Sequence, residues 1–140
     1  MYSDAEAHLA NLQHCSNDSL RRAYLTILLA ATAGGFDVTA RTVGAIHEMR
    51  IRDHAGRQFF ALDIDDTMRF GLRAPALALQ PWLAGEAMVR FGDWVKAATD
   101  EVAIQLRSAE DGERIAEWLF GAGPSTRTEL SLEYAERISA

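Results

Sequence analysis

Two aspartates one residue apart, Asp63 and Asp65, close the apolar run Phe59-Phe60-Ala61-Leu62. Alternate residues leaving a strand end point the same way, so two such carboxylates can converge on one divalent cation. The competing use is structural. Asp65-Asp66 are turn formers, and Met68, Phe70 and Leu72 then resume an alternating pattern, as an immediate antiparallel partner strand would. The hairpin turn is therefore the first reading, and a magnesium site at Asp63 and Asp65 the second. His47-Glu48 opens like a helical zinc motif, but Ile51 stands where the second histidine belongs, and the segment reads as strand. His8, His14, His47 and His54 lack ligand spacing. Cys15 is the only cysteine, which excludes an intramolecular disulfide. Its neighbour His14 points elsewhere on a helix, so the thiol reads as structural. The sequence has no glycine-rich phosphate loop and no nucleophile elbow. The expectation is a protein without a metal or cofactor.

Arg50, Arg52, Arg57, Arg69 and Arg73 form the candidate binding set. On alternating strands most of them share the outward face and make a basic stripe, suited to an acidic peptide or to nucleic acid. Such charge also keeps a solvated sheet face soluble. Trp82, Trp94 and Trp118 read first as core, with a ligand pocket as the alternative.

These residues must be held by an α+β framework. Ser3 and Glu6 open a short helix to about His14 as a capping box. Ser16-Asn17-Asp18 caps a second helix, whose Leu20, Tyr24, Ile27, Leu28 and Ala31 recur at helical spacing before Gly34-Gly35 ends it. Met49 and Ile51, then Phe60, Leu62 and Ile64, then Met68, Phe70 and Leu72 alternate with polar or small residues. That pattern predicts a three-stranded antiparallel meander with turns at 53–56 and 65–66. Pro75 and Pro81 bound a short or broken helix. Two more strands are expected, one near Ala87–Phe91 or Trp94–Lys96 and one at Val102–Leu106. Ser108 with Asp111 then caps a helix bearing Ile115, Trp118 and Leu119. The expected architecture is α+β, a five-stranded, mainly antiparallel sheet (meander plus hairpin) with helices packed on one face. Residues 1–123 form one domain. Residues 124–140 form a helical extension after a Gly/Pro/Ser/Thr hinge, with Leu130, Tyr134 and Ile138 as its docking stripe.

A length of 140 residues suits one domain. The net charge of -6 disfavours non-specific affinity for phosphate backbones without excluding a local basic patch. The longest nearly apolar run, 23–36, falls short of a bilayer span, and the N-terminus lacks a basic stretch. The expected location is the cytoplasm, away from membranes.

Three family resemblances attach to these residues. Phe59 through Thr67 resembles the first motif of haloacid-dehalogenase-type phosphatases, which implies nucleophilic attack by Asp63 and acid/base work by Asp65. About 73 residues follow Thr67, too few for the rest of that fold. From Leu20 to about Ala122 the chain resembles the N-terminal domain of the TfoX competence-regulator family and the YjbR-like domains. That likeness is carried by Val38-Thr39-Ala40-Arg41, Gly44, Gly56-Arg57-Gln58-Phe59-Phe60-Ala61-Leu62, Asp65 through Phe70 and Ala116-Glu117-Trp118. The order of elements is also similar to that of type III secretion chaperones. The last two likenesses imply binding, regulation and dimerisation. The leading expectation is a non-enzymatic module that engages another macromolecule, a protein before nucleic acid, and that forms a possible homodimer. A DNA-associated regulator and a magnesium-dependent phosphatase are the alternatives.

Overall fold

The computed structural model describes residues 2–121. Leu130, Tyr134, Ile138 and the predicted terminal helix lie outside the described residues. Helix α1 spans Tyr2–His14 and α2 spans Asp18–Ala33. Asn17 between them is extended, and its side-chain oxygen accepts the Leu20 N–H, satisfying one of the free donors of the helix start. Helix α1 begins at Tyr2, so Ser3 sits inside its first turn and not at its cap.

Four strands follow as consecutive hairpins: β1 (Asp37–Val43), β2 (Ile46–Arg52), β3 (Gln58–Ile64) and β4 (Met68–Leu72). Helix α3 (Ala74–Leu79), helix α4 (Leu83–Phe91) and a 3-10 turn (Gly92–Trp94) lead to β5 (Val95–Ala97), β6 (Val102–Leu106) and helix α5 (Ala109–Phe120). The sheet order is β1-β2-β3-β4-β6-β5, and every adjacent pair is antiparallel.

The fold is α+β as expected, with six strands where five were predicted. The extra strand is β1. Only Val38 and Ala40 give it an apolar side, too little for the alternation to stand out. The segment Ala87–Phe91, one of two places expected to be a strand, is helical. Leu83, Ala87 and Phe91 recur every four residues, and all three are buried. The other alternative, at Trp94–Lys96, holds as β5 displaced by one residue.

Met49, Ile51, Phe60, Leu62, Ile64, Met68, Phe70, Leu72, Val102, Ile104 and Leu106 share one sheet face and form the core with α2, α4 and α5. Buried polar groups anchor α1 to this layer. Asn11 Nδ2 donates to Tyr24 Oη at 3.0 Å and to the Glu48 carbonyl at 3.1 Å, and His8 Nδ1 lies 2.6 Å from Tyr24 Oη. Burial pushes the Tyr24 hydroxyl up and the His8 imidazole down.

Helices α2 and α5 cross in close contact. A Cβ on Gly112 would meet Ala23 Cα at 2.7 Å and Ala23 Cβ at 2.8 Å, so backbone rather than a movable side chain fills the space. Ser19 Oγ accepts the Ala109 N–H at the start of α5. Ser108, expected to cap α5, makes no side-chain cap bond; Asp111 instead accepts the Arg107 N–H. Gly112→Ala is expected to lower unfolding free energy by about 1–3 kcal/mol through overpacking. Gly85→Ala, where a Cβ meets nothing in α4, is expected to raise it by about 0.4–1 kcal/mol. Urea denaturation of both variants checks the pair.

Candidate functional site

The helices leave the second face of the sheet open, and residues paired across strands share a face. The register places Arg41 opposite Glu48, Glu48 opposite Asp63, and Asp63 opposite Arg69. The next row across the face is Thr39, Arg50, Ala61, Gly71, Ala103 and Lys96. Two carboxylates therefore face each other in the middle of a ring of guanidinium groups.

Arg73 crosses this surface. Its Nη1 donates to Glu101 Oε2 at 3.2 Å, its Nη2 donates to Glu48 Oε2 at 3.4 Å, and Nη2 lies 3.9 Å from Asp63 Oδ2. Arg41 Nε donates to Glu48 Oε1 at 2.7 Å, and Arg50 Nε lies 3.9 Å from the same oxygen. The Glu48 side chain is only 8% exposed, beneath these arginines. Gly71 lies under the bridge, where a Cβ would meet Glu101 Oε1 at 2.9 Å and make that side chain shift. Arg41, Glu48, Gln58, Arg73 and Glu101 line a shallow cleft of about 360 Å³.

Burial, reinforced by the Glu48 charge opposite, pushes the Asp63 carboxyl from the ordinary 3.8 up to about 6, with Arg73 opposing the shift. Asp63 Oδ1 is buried without a donor. A proton on Asp63 removes the clash of like charges and lets this carboxyl donate to Glu48. The other buried side-chain atoms without a hydrogen bond among the described residues belong to this face as well: Nε of Arg50, Arg52 and Arg73.

Asp65 has a different fate from Asp63. In the β3–β4 turn it accepts the Thr67 N–H at 3.0 Å and both terminal nitrogens of Arg69, at 3.0 and 3.1 Å. The Arg69 hydrogen bond leads the contacts that hold its carboxyl down near 2. Asp65 is thus committed to the turn, and among the described residues no three His, Cys, Asp or Glu side chains are grouped to hold a metal ion.

The predicted arginine set is brought together in part. Arg50, Arg52, Arg69 and Arg73 lie on the open face, whereas Arg57 sits beside the β2–β3 turn and donates from Nε to Asp53 Oδ2 at 2.9 Å. The stripe carries mixed charge, since Glu48, Asp63 and Glu101 are interleaved with the arginines. The sequence reading passed over Glu48 and Glu101 as partners. Counting register outward from the turn at 53–57 sets Glu48 against Leu62; the irregularity between Ile51 and Arg52 shifts the pairing by one residue and brings Glu48 opposite Asp63.

A second feature lies around α4, from the end of α3 onward. Leu79, Trp82, Met88 and Val89 are all exposed, Trp82 to 60% and Val89 to 88%. Trp82, Gly85 and Val89, with Arg90 and Arg114 at the rim, line a wide groove. Trp118 is half-buried nearby, donating Nε1–H to Glu86 at 3.1 Å and lying under the Arg90 guanidinium. Core was the first reading for Trp82, but it belongs to this surface. Among the described residues no helix is long and apolar enough to cross a membrane. No protein family, curated protein or solved structure matches the chain.

With the folded-state value of Asp63 raised, its contribution to stability is greatest below pH 3.8 and is lost as pH rises toward about 6. Asp63→Asn is therefore expected to raise the melting temperature at pH 8, with the gain disappearing in acid as wild-type Asp63 takes up its proton. Thermal melts across this range test it; an equal change at every pH would contradict the shared-proton arrangement.

Proposed function

We propose that this chain is a non-enzymatic binding module that engages another protein, acting in the cytoplasm as an adaptor, chaperone or inhibitor. The observation that carries the reading is the apolar ridge of α4. Scattered single apolar residues are normal on a surface, whereas Trp82 and Val89, lining one groove with Pro81 beside an arginine rim, have the composition of an interface core. The likeness of the sequence to TfoX-type domains and type III secretion chaperones, both of which imply binding rather than turnover, agrees with it.

Two other uses of the chain receive less support. The arginines that would favour DNA are largely engaged: Arg41 and Arg73 with Glu48, Arg69 with Asp65, Arg57 with Asp53. A phosphatase built on Asp63 and Asp65 needs both carboxylates free to meet a cation, and Asp65 is held by Arg69 and Thr67.

The test is affinity capture with the full-length protein and two surface variants, Val89→Asp and Trp82→Ser, followed by sedimentation velocity. A stoichiometric partner, either another polypeptide or a second copy, is expected with wild type and lost with both variants. Val89→Asp should fold normally, because Val89 contributes almost nothing to the core. Equal capture by wild type and variants would remove α4 from the interface. Magnesium-dependent release of phosphate from an aryl phosphate, abolished in Asp63→Asn, would replace the binding reading with the enzymatic one.

A further inference from the structure

We propose that the free edge of β1 binds an extended, acidic segment of a partner protein by strand addition. This rests on the protein-binding reading and adds to it a second surface of defined chemistry. The β1–β2 hairpin has a two-residue loop, Gly44-Ala45, with Gly44 at φ 62°. In such hairpins the residues flanking the loop, here Val43 and Ile46, exchange both backbone hydrogen bonds. Antiparallel ladders alternate. Asp37, Thr39, Arg41 and Val43 therefore turn their backbone groups toward β2, and Val38, Ala40 and Thr42 turn theirs outward. His8 reaches the Val38 backbone from α1. Among the described residues no hydrogen bond to the backbone of Ala40 or Thr42 on this side is found.

Sheet edges are commonly blunted by shortness, by proline or by charge turned inward. The opposite edge, β5, has 3 residues. Strand β1 has 7, without proline, and with Val38 met by His8 its outward pairing positions are Ala40 and Thr42.

Charge selects the occupant. Arg41, Arg50 and Arg52 crowd the open face beside this edge; burial and then the charges of Arg41 and Arg52 hold the Arg50 guanidinium below its usual range. Arg41 and Arg50 share one carboxylate, Glu48, with Arg73, and Asp37 is the carboxylate across from Arg52 in the β1–β2 register. Three arginines thus stand against one acid of their own and a share of another. Among the described residues Arg52 hydrogen-bonds only to Thr39 Oγ1, at 3.5 Å, and Nε of Arg50 and of Arg52 make no hydrogen bond. Pairing two copies of β1 would bring two such clusters together, which opposes a second copy. An incoming strand with carboxylates at alternate positions supplies the missing countercharge. Its intervening side chains fall on the helix side, beside Val38 and Ala40, and are best apolar.

The probe is a capped synthetic peptide alternating glutamate with valine, titrated into the isotope-labelled full-length protein and followed by amide NMR. The Ala40 and Thr42 amides are expected to shift saturably and to exchange more slowly. The response should weaken with salt and be lost in Ala40→Pro, which removes an outward donor without touching the β1–β2 ladder. Arg52→Gln, which disturbs only one weak contact, should weaken binding as well. Val89→Asp should leave the response intact, so failure at the edge is read separately from failure at α4. No saturable shift at β1, equal binding of a control peptide in which lysine replaces glutamate and valine is kept, or protection of these amides by a second copy without peptide would each overturn the proposal.

Discussion

A sheet whose helices cover one face must solvate the other face itself. Here that requirement falls on Arg73, whose one guanidinium meets carboxylates of Glu48, Asp63 and Glu101 and so ties β2, β3 and the start of β6 together over Gly71. Removing charge from water is costly unless each ion finds partners. The arrangement meets this by giving Glu48 three arginines and by letting Asp63 hold a proton up to about pH 6. Arg73 Nε passes 3.8 Å from where a Cβ on Gly71 would stand. The face is thus a self-neutralising layer in its middle and an under-neutralised one at the β1 border, and that gradient directs attention to the edge.

The covered face obeys a different rule, that of close packing. Alternate apolar residues from four strands meet a helix layer that comes into closest contact where α5 lies against Ala23 at Gly112. Phe36, Phe60 and Phe120 interlock at ring separations of 5.5 to 5.8 Å, joining the end of α5 to the entry of β1. Helix α4 contributes Leu83, Ala87 and Phe91 inward, and geometry then forces Trp82 and Val89 outward. The same turn of helix that completes the core builds the proposed contact surface.

What the sequence made legible followed signal strength. Strands β3 and β4 alternate strongly between bulky apolar and polar residues, and α2 repeats its apolar positions at helical spacing, so each was read correctly. Strand β1 was hidden because its covered side is small and partly exposed. The segment at 87–91 was ambiguous because a short apolar run fits either period, and the run from Leu83 to Phe91 had to be taken whole to reveal the helix. The arginine stripe was visible as a pattern. Its carboxylate partners were not, since pairing across strands depends on register, and Glu101 reaches Arg73 from 28 residues away.

The strand order also stores a timetable for assembly. Strands β1 to β4 pair with neighbours in sequence, so each hairpin closes a loop of only a few residues. Strand β6 must find β4 across both intervening helices and β5, and the entropy of closing that loop comes due before any of its contacts form. The meander is thus the local, quickly reversible part of the chain, and the β4–β6 seam is the slow stitch. Arg73 and Glu101 flank that seam at one end, so the ion cluster on the open face is completed only when the last strand has docked.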